Sequence, residues 1–223
     1  MPRLHSDAAP TVQNPTAKPL FWMVLITWAI ASLGGFLWML SYAATPGSSG
    51  TLEHTWPNDS RIVPDAARAN LVVFMHPHCP CSRASLSELA EIMTRCEGLV
   101  TTHVLFLTPS PKPDGWEVSD LWHRAKMIPG VRVLADDEGC EARRFGALTS
   151  GHAALYDRQG RLMFRGGITI ARGHSGDNDG RRIIIDRLTG IPGATAESFV
   201  FGCPLFDNGP QIQRADPAEF GAP

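Results

Sequence analysis

The stretch Leu20–Ala44, "LFWMVLITWAIASLGGFLWMLSYAA", contains no charged residue, and it limits what the chain can fold into more than any other segment. A helix needs roughly 20 apolar residues to cross a hydrocarbon core about 30 Å thick. Trp22, Trp38 and Tyr42 lie towards the ends of the run, where amphipathic rings favour the membrane–water interface. The small residues of "SYAAT" offer a cleaved signal peptide as the alternative, but the run is long for a secretory h-region, so an uncleaved anchor is expected. Arg3 and Lys18 precede the run, and no Lys or Arg follows it until Arg61. The positive-inside bias then keeps the N-terminus in the cytoplasm and exports everything after residue 45. In a bacterium this means a single-pass inner-membrane protein with a periplasmic domain, in a compartment where disulfides persist.

Around this anchor the chain divides readily. Residues 1–19 read as a polar cytoplasmic tail, and residues 20–44 as the span in the lipid bilayer. Residues 45–65 read as linker and lead-in, opening on the flexible stretch "TPGSSGT". Residues 66–206 read as one compact domain, and 207–223 as a flexible C-terminal tail. The net charge of −2 and the lack of a dense Lys/Arg stripe argue against a nucleic-acid partner.

Within the compact part, apolar runs alternate with helical spacings. "NLVVFMH" suits a buried strand, and "SRASLSELAEIMTRC" places Leu86, Leu89, Ile92 and Met93 on one helix face. "LVTTHVLFLT" and "VRVLAD" are further strands. "VSDLWHRAKM", capped by Ser119 or Asp120, and "EGCEARRFGA" are short helices. "HAALYDRQGRLMFRGG" reads as a hairpin turning at "DRQG", and "DGRRIIIDRLTG" as a helix stopped by Gly190. The order β-α-β-α-β-α-β-β-α predicts an α/β domain with a mixed sheet and helices on both faces.

The chemistry concentrates in "FMHPHCPCSR" (Phe74–Arg83), which places His76, His78, Cys79 and Cys81 within six residues. At a strand-to-helix junction, unpaired N–H groups and the helix dipole favour a thiolate on Cys79. His76 and His78 when protonated, and Arg83 at any pH, would favour it further. Cys79 is the candidate nucleophile and Cys81 its nearest partner. A bond between residues i and i+2 needs a bend at Pro80 and would be strained, hence labile and oxidising. The competing reading is a metal site. Two thiolates and two imidazoles suit Cu(I) or Zn, although four ligands so close in sequence do not converge easily on one ion. Thiol–disulfide chemistry without a cofactor is therefore one reading, and a Cu or Zn site from Cys79, Cys81 and His76 or His78 is the other.

The order of elements, with a cysteine motif leading into a long helix, resembles the thioredoxin fold. "ADDEGCEARRFGALTSGHAALYDRQGRLMFRGG" resembles the redoxin and TlpA-type pattern. More closely, His76–Cys81, Gly166–Asn178 and Phe201–Leu205 ("FGCPL") are similar to the hallmark segments of membrane-anchored bacterial proteins of the RedB type. The resemblance implies a thioredoxin-like fold. Ser82 then stands where a thioredoxin keeps its second cysteine, and Gly151 near the place of its cis-proline. Ser150 would face the active site and could replace the contact that the proline makes to a substrate backbone.

The resemblance also raises the interest of residues far from the motif. Cys203 is a candidate third functional thiol, able to resolve a mixed disulfide or sulfenic acid on Cys79; otherwise it is a buried apolar cysteine. Arg172, His174, Asp177 and Asn178 in "TIARGHSGDNDG" could line a substrate groove, or form a solvated loop that caps the last helix through Asn178 or Asp179. Cys96 and Cys140 read as structural, and Trp116 and Trp122 as core or groove-rim aromatics. The expected activity is that of an extracytoplasmic thiol–disulfide oxidoreductase acting on protein thiols or disulfides. It would exchange electrons with a separate donor or acceptor, because no second redox domain is seen in the sequence.

Overall fold

The computed structural model describes residues 17–50, 54–111, 115–193 and 196–206. Of the tails expected at 1–19 and 207–223, residues 1–16 and 207–223 lie outside the described residues, and 17–19 belong to the first helix. The chain forms two compact units, Met1–Tyr42 and Ala43–Pro223.

Helix α1, Ala17–Ala44, has 28 residues, which at 1.5 Å per residue gives about 42 Å. An 18-residue window within its Lys18–Ala44 portion has a mean hydropathy of 2.0, and none of that window is buried. Large apolar side chains from Phe21 to Leu40 are exposed along it. A helix that is apolar all round and uncovered by protein has the character of a membrane span.

The second unit is built on a five-stranded sheet of order β3-β2-β1-β4-β5. Strands β1 (Ala69–Met75), β2 (Val100–Thr108) and β3 (Val131–Asp137) run parallel, while β4 (His152–Tyr156) and β5 (Leu162–Gly167) are antiparallel. Strand β1 is central and buried on both faces, which is why its sequence is continuously apolar rather than alternating. Edge strand β3 is mostly exposed. Helix α2 (Ser82–Arg95) connects β1 to β2, and α3 (Asp120–Lys126) connects β2 to β3. Such crossovers are what parallel strands require. Helix α4 (Cys140–Arg144) precedes the hairpin, and α5 (Asp179–Leu188) follows it. The domain has the thioredoxin-like fold.

The two faces of the sheet are covered unequally. Leu71, Val73, Met75, Val104 and Phe106 pack against Leu86, Leu89 and Ile92 of α2, Leu121 and Ala125 of α3, and Ile183 and Ile184 of α5. On the other face Val72, Phe74, Leu105 and Tyr156 meet Ala142 of α4, Phe145, Ile62 and Leu205, with Trp56 and Phe206 at the margin. Half of that second cover is therefore irregular chain from before β1 and after α5. The stretch expected to be a flexible linker is held down at several points. Gly47 donates its N–H to the Val200 carbonyl at 2.8 Å, and Thr149 Oγ1 donates to the Ser48 carbonyl at 2.8 Å.

Element ends follow the capping rules. Ser119 caps α3, with its hydroxyl accepting from the Trp122 N–H. Asn178 caps α5, accepting from the Arg181 N–H. Gly190 takes the left-handed conformation (φ 78°) just past the end of α5, where a side chain would be strained. In the hairpin turn, Asp157 Oδ1 accepts the N–H groups of Gln159 and Arg161.

Candidate active site

Strand β1 ends at Met75, and the chain reaches α2 through His76–Cys81. Cys81 is the N-cap of α2, with no side-chain capping bond of its own. The Cys79 N–H donates to the His76 carbonyl, and the Ser82 N–H to the Cys79 carbonyl, each at 3.1 Å. This tight turn leaves the Cys79 thiol beneath the first turn of the helix, only 2% exposed.

The nearest thiol to Cys79 comes from the far end of the chain. Cys203 Sγ lies 3.0 Å from Cys79 Sγ, and the sulfurs of Cys79, Cys81 and Cys203 all lie within 4.8 Å of one another. All three are free thiols. The segment bearing Cys203 is laced to the start of β4. Ser150 donates its N–H to the Cys203 carbonyl at 2.8 Å, Leu205 donates to Leu148 at 2.9 Å, and Thr149 pairs with Pro204 in an antiparallel bridge. Gly202 allows this approach, since a Cβ there would overlap the Ser150 carbonyl oxygen.

The three thiols differ in acidity. Burial pushes Cys79 up, but a hydrogen bond from the Cys203 thiol and backbone N–H groups of Cys203, Cys81 and Ser82 outweigh it, and the net shift is downward. A thiolate on Cys79 thus accepts from Cys203. Burial raises Cys81, and the neighbouring Cys79 charge raises it further. Burial, then the Cys79 contact and charge, push Cys203 up to about 12. Arg172 opposes these rises on both Cys81 and Cys203. Its guanidinium donates through Nη1 to the Gly202 carbonyl and through Nε to the Thr45 carbonyl at 3.3 Å.

The remaining residues singled out in the sequence take varied places. Ser82 is buried, with its Oγ 2.9 Å from Ser150 Oγ, and Ser150 Oγ also accepts the His76 N–H at 2.9 Å. These two serines tie α2 to the entry of β4. Gly151 has φ 91°, its N–H donates to the Phe74 carbonyl, and a Cβ would stand 2.9 Å from Ser85 Oγ. The rings of His76 and His78 lie against Trp116, at 5.4 and 4.7 Å. The His78 N–H donates to His76 Nδ1, and His78 Nε2 is 3.1 Å from the Trp116 carbonyl. Among the described residues, no histidine joins the thiols as a potential metal-ligand group. Arg83 is exposed and pairs with Asp120 at 3.1 Å. The cation beside the thiols is Arg172. Cys96 is buried in the core under α2.

His174 is exposed, and its Nδ1 donates to the Arg172 carbonyl at 2.8 Å. Asn178 is a cap, and its amide also donates to Glu88. Glu88 is a residue that the sequence reading missed. It is 3% exposed, and its carboxylate accepts from the Gly176 N–H at 2.7 Å, Asn178 Nδ2 at 3.0 Å and Arg181 Nη1 at 2.6 Å. It fastens the loop carrying Arg172 to helix α2. Its signal was a lone charge in the buried stripe Ser85, Leu89 and Ile92 of α2.

No protein-family model and no curated protein matches the sequence. Among solved structures, the chain is similar to a hypothetical protein from Sinorhizobium meliloti, with 21% identity and a TM-score of 0.51 over 73% of this chain and 96% of that one. It is also similar to an uncharacterized conserved protein from Geobacillus kaustophilus, with 16% identity and a TM-score of 0.51 over 73% and 92%. A secreted Mycobacterium tuberculosis disulfide oxidoreductase matches at 13% identity and a TM-score of 0.40, over 55% and 81%. At these identities, and at the TM-scores of the first two, the shared property is the fold.

Proposed function

We propose that the chain is a membrane-anchored thiol–disulfide oxidoreductase of the RedB type, with its thioredoxin-like domain outside the cytoplasm. The observation that carries this reading is the Cys79 thiol. It sits at the start of α2, 3.0 Å from the Cys203 thiol, and against its burial the hydrogen bond from that thiol and then backbone N–H groups raise its acidity. A thiol whose ionised form is favoured in this way is the most readily activated nucleophile of the three.

In the proposed cycle the Cys79 thiolate attacks one sulfur of a substrate disulfide, forming a mixed disulfide and releasing the other sulfur as a thiolate. Cys203 then gives its proton to the thiolate already released and attacks Cys79 Sγ, releasing the second substrate thiolate. The substrate gains two electrons, and the protein is left with a Cys79–Cys203 disulfide. Closing the sulfurs to the roughly 2.05 Å of a disulfide needs a shift of about 1 Å. The same proximity favours Cys203 over Cys81 as the resolving thiol. Ser82, in the seat of the usual second cysteine, holds Ser150 instead. Run in reverse, the cycle oxidises protein thiols, and in either direction a separate electron donor or acceptor restores the starting state.

The test is turnover of a small disulfide by the full chain in detergent, with mass spectrometry of the non-reduced protein. Cys79→Ser should abolish turnover, and the oxidised wild type should carry a Cys79–Cys203 linkage. Undiminished turnover by Cys79→Ser would exclude the proposed nucleophile.

A further inference from the structure

We propose that Cys79, Cys81 and Cys203 together form a three-thiolate site for Cu(I), a ligand set distinct from the cysteine–histidine combination that the motif alone suggests. Metal–thiolate bonds of about 2.3 Å place three sulfurs at the corners of a triangle with edges of about 4 Å. All three sulfurs here lie within 4.8 Å of one another, and the shortest edge is 3.0 Å. An ion at the centre needs the Cys79–Cys203 edge of 3.0 Å to open by about 1 Å, and the other two edges lie within 4.8 Å.

The choice of ion follows from the donors. Soft thiolates select Cu(I) or Zn(II), and structural Zn(II) takes four ligands. A fourth is lacking among the described residues. The nearest imidazoles are engaged elsewhere, His78 with the Trp116 carbonyl and His76 Nδ1 with the His78 N–H. Cu(I) accepts three-coordination. The surroundings also suit an anionic centre. Three thiolates around Cu(I) leave a net charge of −2, and backbone N–H groups of Cys81, Ser82 and Cys203 point at the Cys79 sulfur. Arg172 supplies a positive charge beside Cys81 and Cys203. Such outer-shell donors strengthen a metal site.

Binding is an exchange without electron transfer: Cu(I) enters, and each thiol that carried a proton releases it to solvent. It is also exclusive of the disulfide state. Joining Cys79 to Cys203 passes two electrons, and whatever protons the two sulfurs carry, to a disulfide acceptor, and so removes two of the three ligands. The cluster therefore holds copper only when reduced.

The experiment is an anaerobic titration of the reduced full chain in detergent with Cu(I), in competition with the chelator bicinchoninate. X-ray absorption is then recorded on the loaded protein. One ion per chain with a shell of three sulfurs is expected. Cys203→Ser and Cys81→Ser should each weaken binding by more than about tenfold, with unchanged circular dichroism, while Cys96→Ser and Cys140→Ser leave it intact. Absence of stoichiometric binding overturns the proposal. So does wild-type affinity in Cys203→Ser, or nitrogen in place of the third sulfur. Turnover of the small disulfide, measured without copper, reports on the oxidoreductase reading separately.

Discussion

Replacing Glu88 by Gln keeps the shape of the side chain and removes its charge. Glu88 is 3% and Arg181 14% exposed at the side chain, with 2.6 Å between them. Removing one partner of a buried pair costs about 3–5 kcal/mol, chiefly because the other charge is left without compensation. Arg181 keeps Asp177 at 2.6 Å, but that carboxylate is fully exposed, and an exposed partner contributes only about 0–1 kcal/mol. The Gln amide also presents N–H groups where two donors already converge. These considerations set the loss near 3 kcal/mol, which for a domain of this size lowers the Tm by about 6–12 °C. Thermal unfolding followed by circular dichroism at neutral pH measures it. The difference from wild type should persist in 0.5 M salt, because buried pairs are screened little. A Tm within about 2 °C of wild type, or a difference that salt erases, would refute the reasoning. In the same variant, amide exchange at Gly176 and Arg172 should quicken, since the loop loses its tether.

Two further outcomes are expected. His103 and His152 are buried, and burial lowers both to about 4, with the charges of Arg132 and Arg165 acting in the same sense. Their depressed folded pKa means that the unfolded chain binds more protons between pH 6.5 and 4. Stability is full above pH 6.5 and falls as pH drops, by on the order of 2 kcal/mol for each histidine by pH 5. Urea unfolding of the His103→Leu/His152→Leu double variant should be flatter across pH 6.5–5, and an unchanged slope would contradict this account. Gly202→Ala should drive the C-terminal segment off the Ser150 carbonyl, so that the Cys79–Cys203 linkage forms poorly under mild oxidation; undiminished linkage by mass spectrometry would count against the packing described.

How far the sequence could be read depended on the range of the interaction. The bounds of β1, α2 and β2, the Ser119 cap and the Gly190 stop were legible because each rests on local periodicity or on one turn of backbone. The place of Cys79 was legible for the same reason, being a strand end followed by a helix start. Arg83 misled because sequence nearness to Cys79 is not spatial nearness: as the second residue of α2 it leans towards Asp120 on α3. Arg172 and Cys203 reach the cluster only through tertiary contacts, the first by the Glu88 tether and the second by the Gly202–Ser150 contact. No periodicity announces either of them.

The separation of Cys79 from Cys203 by 124 positions also has a consequence for biosynthesis. At roughly 5–20 residues per second, Cys79 leaves the ribosome about 6–25 s before Cys203. Throughout that interval Cys81 is the only motif thiol beside Cys79, and the segment that later shelters them does not yet exist. The nascent chain thus passes through a stage with an exposed two-thiol motif before it acquires its three-thiol centre. A residue made late thus completes the thiol cluster that the first half of the domain begins.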